Sequence, residues 1–134
     1  MTRTTATGTI EVHTYEPTPY LKGADGGPDL VKIEVTEQFR GDIEGEGVVR
    51  FLQTSFPDGA ASFVGVEQVT GSIGGRHGTF VLQDAGTLRD SVVSGTWFVV
   101  PGSGTGDLTG LRGEGGFTAS LGQNAEITLD YWFE

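Results

Sequence analysis

Hydrophobic and polar positions alternate along most of this chain. In Thr7–Thr14 (TGTIEVHT), Ile10 and Val12 share one face while Thr9, Glu11 and His13 share the other, the period-two pattern of a half-buried strand. Leu30–Phe39 shows it more cleanly, with Val31, Ile33 and Val35 opposite Lys32, Glu34, Thr36 and Gln38. Further strands are predicted over Val48–Phe56, Ala60–Gly71, Thr79–Ala85, Val92–Val100, Gly115–Ser120 and Ala125–Phe133. Gly41–Gly47, Pro57-Asp58-Gly59 and Gly74-Gly75 read as turns between them. Eight short strands joined by turns make a sandwich or a barrel, and eight are what a small closed barrel needs to hold one small ligand.

The middle strands complicate this alternation. Val48 and Leu52 oppose Val49 and Phe51, Val64 and Val66 oppose Phe63 and Val69, and Phe98 and Val100 oppose Trp97 and Val99. With bulk on both faces, the pattern does not say which face lines the interior. A wall apolar on both sides also points to a homo-oligomer packed through it, against the alternative of valines simply exposed.

Glycine supplies 23 of the 134 residues, and its spread leaves long helices almost nowhere to sit. The chain is expected to be all-β, in one domain spanning 1–134. Tyr15–Asp29 (YEPTPYLKGADGGPD) holds three prolines and three glycines and reads as the longest loop, with Tyr15 and Tyr20 placed to cover a barrel mouth.

Charge and missing residue types narrow the chemistry. Cysteine is absent, which removes disulfides, thiolate catalysis and Cys-ligated zinc. A net charge of −10 repels phosphate backbones, so nucleic acid is not an expected partner. No apolar run approaches a membrane span, and the first residues lack a secretory hydrophobic core, so a cytoplasmic protein is expected with no membrane partner. No metal is expected either, because paired histidines at ligand spacing and calcium-loop patterns are missing.

Gly102-Ser103-Gly104-Thr105-Gly106 resembles a phosphate loop but lacks the G-x-G-x-x-G spacing, a following Gly-Lys and a helix. No G-x-S-x-G occurs around Ser72 or Ser103. The remaining candidates are polar groups at positions that point inward or rim a cavity. Glu67 interrupts Val66 and Val69, and Gln83 and Asp84 end the run Phe80–Leu82. Gln53 shares a face with Phe51, Tyr131 shares one with Ile127 and Leu129, and Arg112 and Glu114 stand two apart on one side. A carboxyl group inside an apolar barrel has a raised pKa and suits acid–base work, whereas an ion pair of Arg112 with Glu67 or Glu114 would be structural. Glu67, Asp84, Arg112 and Glu114 are the catalytic candidates. Tyr15, Tyr20, Gln53, Phe63, Gln83, Trp97, Phe117 and Tyr131 are the candidate substrate-binding set.

The blocks GTWFVVPGSGTGDLTGLRGEGGF (95–117) and FVGVEQVTGSIGGRHGTFVLQ (63–83) resemble a small bacterial family of unknown function, DUF3224-like. The segment Gly104–Gly113 is similar to the glycine signature of allene oxide cyclases and dirigent proteins. This resemblance implies an eight-stranded antiparallel closed β-barrel of allene oxide cyclase-like type, often dimeric or trimeric. It also implies an apolar small molecule as ligand and a cyclisation or isomerisation that uses no cofactor, the cavity holding a reactive chain in a productive conformation. Relatives commonly carry a histidine after Val-Leu-Gln, where Asp84 stands here, and a tryptophan at the position of Tyr15. Three readings remain open at this point: a cofactor-independent isomerase or cyclase, a carrier or sensor of a lipophilic metabolite, and a barrel without ligand.

Overall fold

The computed structural model describes residues 2–134. Its strands are β1 (Thr4–Leu21), β2 (Asp29–Gly41), β3 (Ile43–Ser55), β4 (Ala61–Ile73), β5 (Arg76–Arg89), β6 (Val92–Val99), β7 (Leu111–Ser120) and β8 (Ala125–Phe133). Each pairs antiparallel with the next, and β8 returns to β1, so the eight strands close into a barrel without a crossover. The only helical element among the described residues is a single 3-10 turn at Gly106–Leu108. The expected all-β closed barrel is therefore the fold.

The strands run longer than the alternation predicts. The expected loop Tyr15–Asp29 is strand as far as Leu21, with Tyr15 paired to Val35, Pro17 to Ile33 and Pro19 to Val31. Proline cannot donate to a ladder and is confined to edges. That condition is met here, because the β1–β8 pairing ends at Ile10 and leaves the far side of Pro17 and Pro19 free. His13 is the extra residue at a register shift between Val12 and Thr14, and it reverses which parity of β1 faces inward. The acidic turn expected over Gly41–Gly47 likewise shrinks, since β3 already begins at Ile43.

The two ends of the barrel differ. At one end the 3-10 turn folds fully buried Leu108 into a cluster with Ile43, Ile73, Phe80, Val99 and Leu111. Apolar burial of this kind contributes about 25 cal/mol per Å² and makes this the anchored end. At the other end β1 and β2 project past β8, and Phe51 and Phe117 remain half-exposed. This is the open end.

The ambiguity of the middle strands resolves in favour of the odd-numbered positions. Val49, Phe63, Glu67, Val69, Trp97 and Val99 are buried, whereas Val48, Leu52, Val64, Val66 and Phe98 are exposed on the outer wall.

Candidate functional site

Three acidic side chains are buried inside the barrel: Glu37 of β2, Glu67 of β4 and Asp84 of β5. Their fractional exposures are 8%, 1% and 5%, values normally reserved for paired charges. Strand parity puts them there. Glu37 lies two residues from both Val35 and Phe39, Glu67 lies between Gly65 and Val69 on the inner face, and Asp84 follows Phe80 and Leu82.

Glycine opposite two of the acids, Glu37 and Asp84, makes the room. Gly47 stands across the ladder from Glu37, and the space its side chain would fill is taken by Glu67 Oε2 and the Phe39 ring. Gly65 stands across from Asp84, and a Cβ there would lie 2.7 Å from Asp84 Oδ1 and 2.6 Å from Phe51. The two glutamates thus meet over Gly47, while Asp84 meets Phe51 over Gly65.

A chain of aromatic rings surrounds the acids. Phe39 stacks on Trp97 at 6.2 Å between ring centres, Trp97 tilts against Phe117 at 5.0 Å, Phe117 stacks on Phe63 at 6.2 Å, and Phe63 meets Phe51 edge-on at 5.3 Å. Trp97 fixes its indole by donating Nε1–H to the Thr128 carbonyl at 2.9 Å. Trp97 is also the residue directly opposite Asp84 on β6.

This apolar setting governs the titration of the acids. Burial raises the Glu37 carboxyl, and a hydrogen bond with Glu67 acts in the opposite direction. Glu67 is pushed well above the usual carboxylate range by burial, then by that hydrogen bond and by the charges of Glu37 and Asp84. These directions describe one arrangement, with protonated Glu67 donating to Glu37. Asp84 is raised to about 7 by burial and by the Glu37 charge. Glu67 Oε2 and Asp84 Oδ1 are buried without a hydrogen-bond partner, and no ion pair among the described residues reaches any of the three acids. Among the described residues no cluster of histidine and acidic side chains is arranged to hold a metal ion.

The sequence-predicted residues do not all converge. Glu67, Asp84, Phe63, Trp97 and Phe117 come together in the acid–aromatic layer. Gln53 and Tyr131 face inward but lie elsewhere: Gln53 bonds Ser55 near the open end, and Tyr131 packs on Phe133 near the anchored end. Tyr15 and Tyr20 are exposed strand residues at the open end. Gln83 points outward, where it helps line a depression of about 700 Å³ on the outer wall with Arg50, Leu52, Val64, Val66 and Phe98.

Arg112 and Glu114 do not reach the interior. Arg112 pairs with Glu134 at 2.9 Å, and Glu114 pairs with Arg3 at 3.2 Å, both on the outside. The expected partnership of Arg112 with Glu67 or Glu114 is not formed. Glu37, which the sequence reading left out, completes the buried group instead.

The comparisons with known proteins agree with this architecture. Residues 6–131 match the family described as "Protein of unknown function (DUF3224)". The chain belongs to this family. It is similar to a DUF3224 protein of unknown function from Shewanella oneidensis MR-1, whose crystal structure it matches with a TM-score of 0.83 at 30% identity, over 99% of each chain. No curated protein matches the chain. No helix among the described residues is long and apolar enough to cross a membrane.

Proposed function

We propose that this barrel binds a small, mostly apolar molecule through its open end and moves a proton on it without a cofactor, as an isomerase or cyclase. The observation that carries this reading is the group of three buried carboxyls with no basic partner among the described residues. A buried polar atom left unpaired costs about 1–3 kcal/mol, so a purely structural interior would gain by replacing Glu67 and Asp84 with apolar residues. Groups kept at such a cost, with titration moved toward neutrality, are characteristic of sites that exchange protons.

Asp84 is the group best placed to act. Its raised titration leaves it available as a base or an acid near neutral pH. In an isomerisation, its carboxylate would take a proton from one carbon, the electron pair would shift along a conjugated chain, and the proton would return at another carbon. The atoms of substrate and product are the same, so the step needs no redox partner. Phe63, Trp97 and Phe117 would hold the chain in a reactive conformation. The similarity of Gly104–Gly113 to the allene oxide cyclase and dirigent signature supports the same class of chemistry.

A barrel without ligand is the second reading, and the continuous packing of Phe39, Trp97, Phe117, Phe63 and Phe51 favours it. Native mass spectrometry of protein purified from its own host separates the two. A retained small molecule released on denaturation supports the pocket. An empty barrel that is also not stabilised by any member of an apolar ligand library overturns it. If a ligand is retained but comes back chemically unchanged after turnover assays with both the parent and Asp84→Asn, the protein is a carrier.

A further inference from the structure

We infer that the molecule this barrel receives carries a positive charge: an apolar body with a protonated amine or similar organic cation, its head placed between Asp84, Glu67 and the surrounding rings. This rests on the small-molecule reading above and names its ligand class. Glu67 Oε2 and Asp84 Oδ1 are buried oxygens with no hydrogen-bond partner among the described residues. Once such a carboxyl group ionises it only accepts hydrogen bonds, so the ionised form calls for a donor as its partner. A neutral hydrocarbon would leave both oxygens orphaned, and an anionic ligand would add a fourth acid to three. A cation supplies donors and charge together.

The rings point the same way. Trp97 stands opposite Asp84, Phe51 converges with it over Gly65, and Phe63 and Phe117 pack against those rings; aromatic faces attract cations most strongly when water is excluded. Buried carboxyls beside aromatic faces are poorly suited to a purely hydrocarbon guest. The net charge of −10 also draws cations toward the molecule from solution. Phe51, half-exposed at the open end, converges with Asp84 over Gly65, so entry from that end would pass this ring.

Binding of a cation favours the ionised carboxyl and should therefore expel a proton. The groups that face Asp84 are Glu67 from β4 and Glu37 from β2. The inward positions of β3 (Gly47, Val49, Phe51), β6 (Gly95, Trp97, Val99) and β7 (Gly113, Gly115, Phe117) carry no charge. Tyr131 of β8 lies toward Gly74 at the anchored end. On β1, Ala6, Gly8 and Ile10 add no titrating group, and beyond the His13 bulge Tyr15, across from Val35 near the open end, has its hydroxyl raised by burial and stays neutral near pH 6.

Calorimetric titration of the full chain tests this with three probes of similar shape: 2-phenylethylammonium, 2-phenylethanol and 3-phenylpropionate. The ammonium is expected to bind about tenfold more tightly than the alcohol or better, and the propionate not at all. Near pH 6, titrations in two buffers of different ionisation enthalpy should report release of up to about one proton for the ammonium and none for the alcohol. Asp84→Asn, with its melting temperature recorded first, should lose the preference for the ammonium. Glu67→Gln serves where that variant does not fold. Equal affinity for alcohol and ammonium, or ammonium binding without proton release, overturns the cation assignment while leaving a small-molecule pocket in place. Failure of all three probes to bind, together with an empty barrel in native mass spectrometry, removes both.

Discussion

Asp84 and Trp97 face each other directly across the β5–β6 ladder, a carboxyl group against an indole, and no basic side chain among the described residues pairs with the acid. Indole is a poor solvent for charge, so the pair is most comfortable while the carboxyl holds its proton. The folded state thus binds a proton near Asp84 that the unfolded chain, titrating near 3.8, gives up sooner. The resulting stabilisation is complete below about pH 4 and is lost as pH rises through about 7.

Asp84→Asn isolates this contribution. Subtracting the variant's melting temperature from that of the parent, pH by pH, should give a difference that falls as pH rises from about 4 to about 8. Above neutrality the variant should be the more stable of the two, because it no longer buries an ionising group. A difference that rises with pH instead would mean that Asp84 is held as a satisfied carboxylate.

Gly47→Ala probes the meeting of Glu37 and Glu67. The added methyl would occupy the position of Glu67 Oε2 and press on Phe39, so overpacking should cost about 1–3 kcal/mol. Chemical denaturation of Gly47→Ala, Glu67→Ala and the double variant measures the coupling. The methyl should cost markedly less once the glutamate is gone, and additive effects would show that the two positions do not share space.

How far the sequence reveals this site depends on how clearly each strand marks its faces. Glu67 and Asp84 interrupt or end apolar runs, so their inward placement is legible. Glu37 sits between Thr36 and Gln38 in a polar-looking stretch, yet counting by two from Val35 to Phe39 places it inside. Arg112 and Glu114 are correctly read as sharing a side, but the opposite positions are Gly113 and Gly115, which have no side chain to identify the interior. The second half of β1 is hidden by Pro17 and Pro19, whose presence in a strand becomes intelligible only once its outer edge is known to be unpaired. The closed barrel itself is legible because the strand pattern and glycine turns recur along the whole chain.

The outward position of Arg112 gives a prediction opposite to that for the acids. Its ion pair with Glu134 and its distance of 6.0 Å from the Trp132 ring are surface features. Exposed pairs contribute about 0–1 kcal/mol. Arg112→Ala and Glu114→Gln should therefore leave stability and any ligand affinity nearly unchanged. A large loss of ligand binding in either variant would place the working site on the outer wall rather than inside the barrel.

The outer wall carries the last expectation. Val48, Val66 and Leu52 are 60%, 56% and 53% exposed, and with Val64 and Phe98 they form an apolar surface on adjacent strands. The depression on this wall sets Arg50 at one side and Glu114 and Asp130 at the other. A second copy related by a two-fold axis would bring Arg50 of each chain toward the acids of its partner, the self-complementarity that a symmetric dimer requires. Sedimentation of the purified chain at micromolar concentration is therefore expected to give about twice the single-chain mass. Val66→Lys, which adds a like charge to both sides of such an interface, should return it to one chain without lowering its helix-free circular dichroism signature. A parent protein that already sediments as one chain would show that this wall is simply exposed valine.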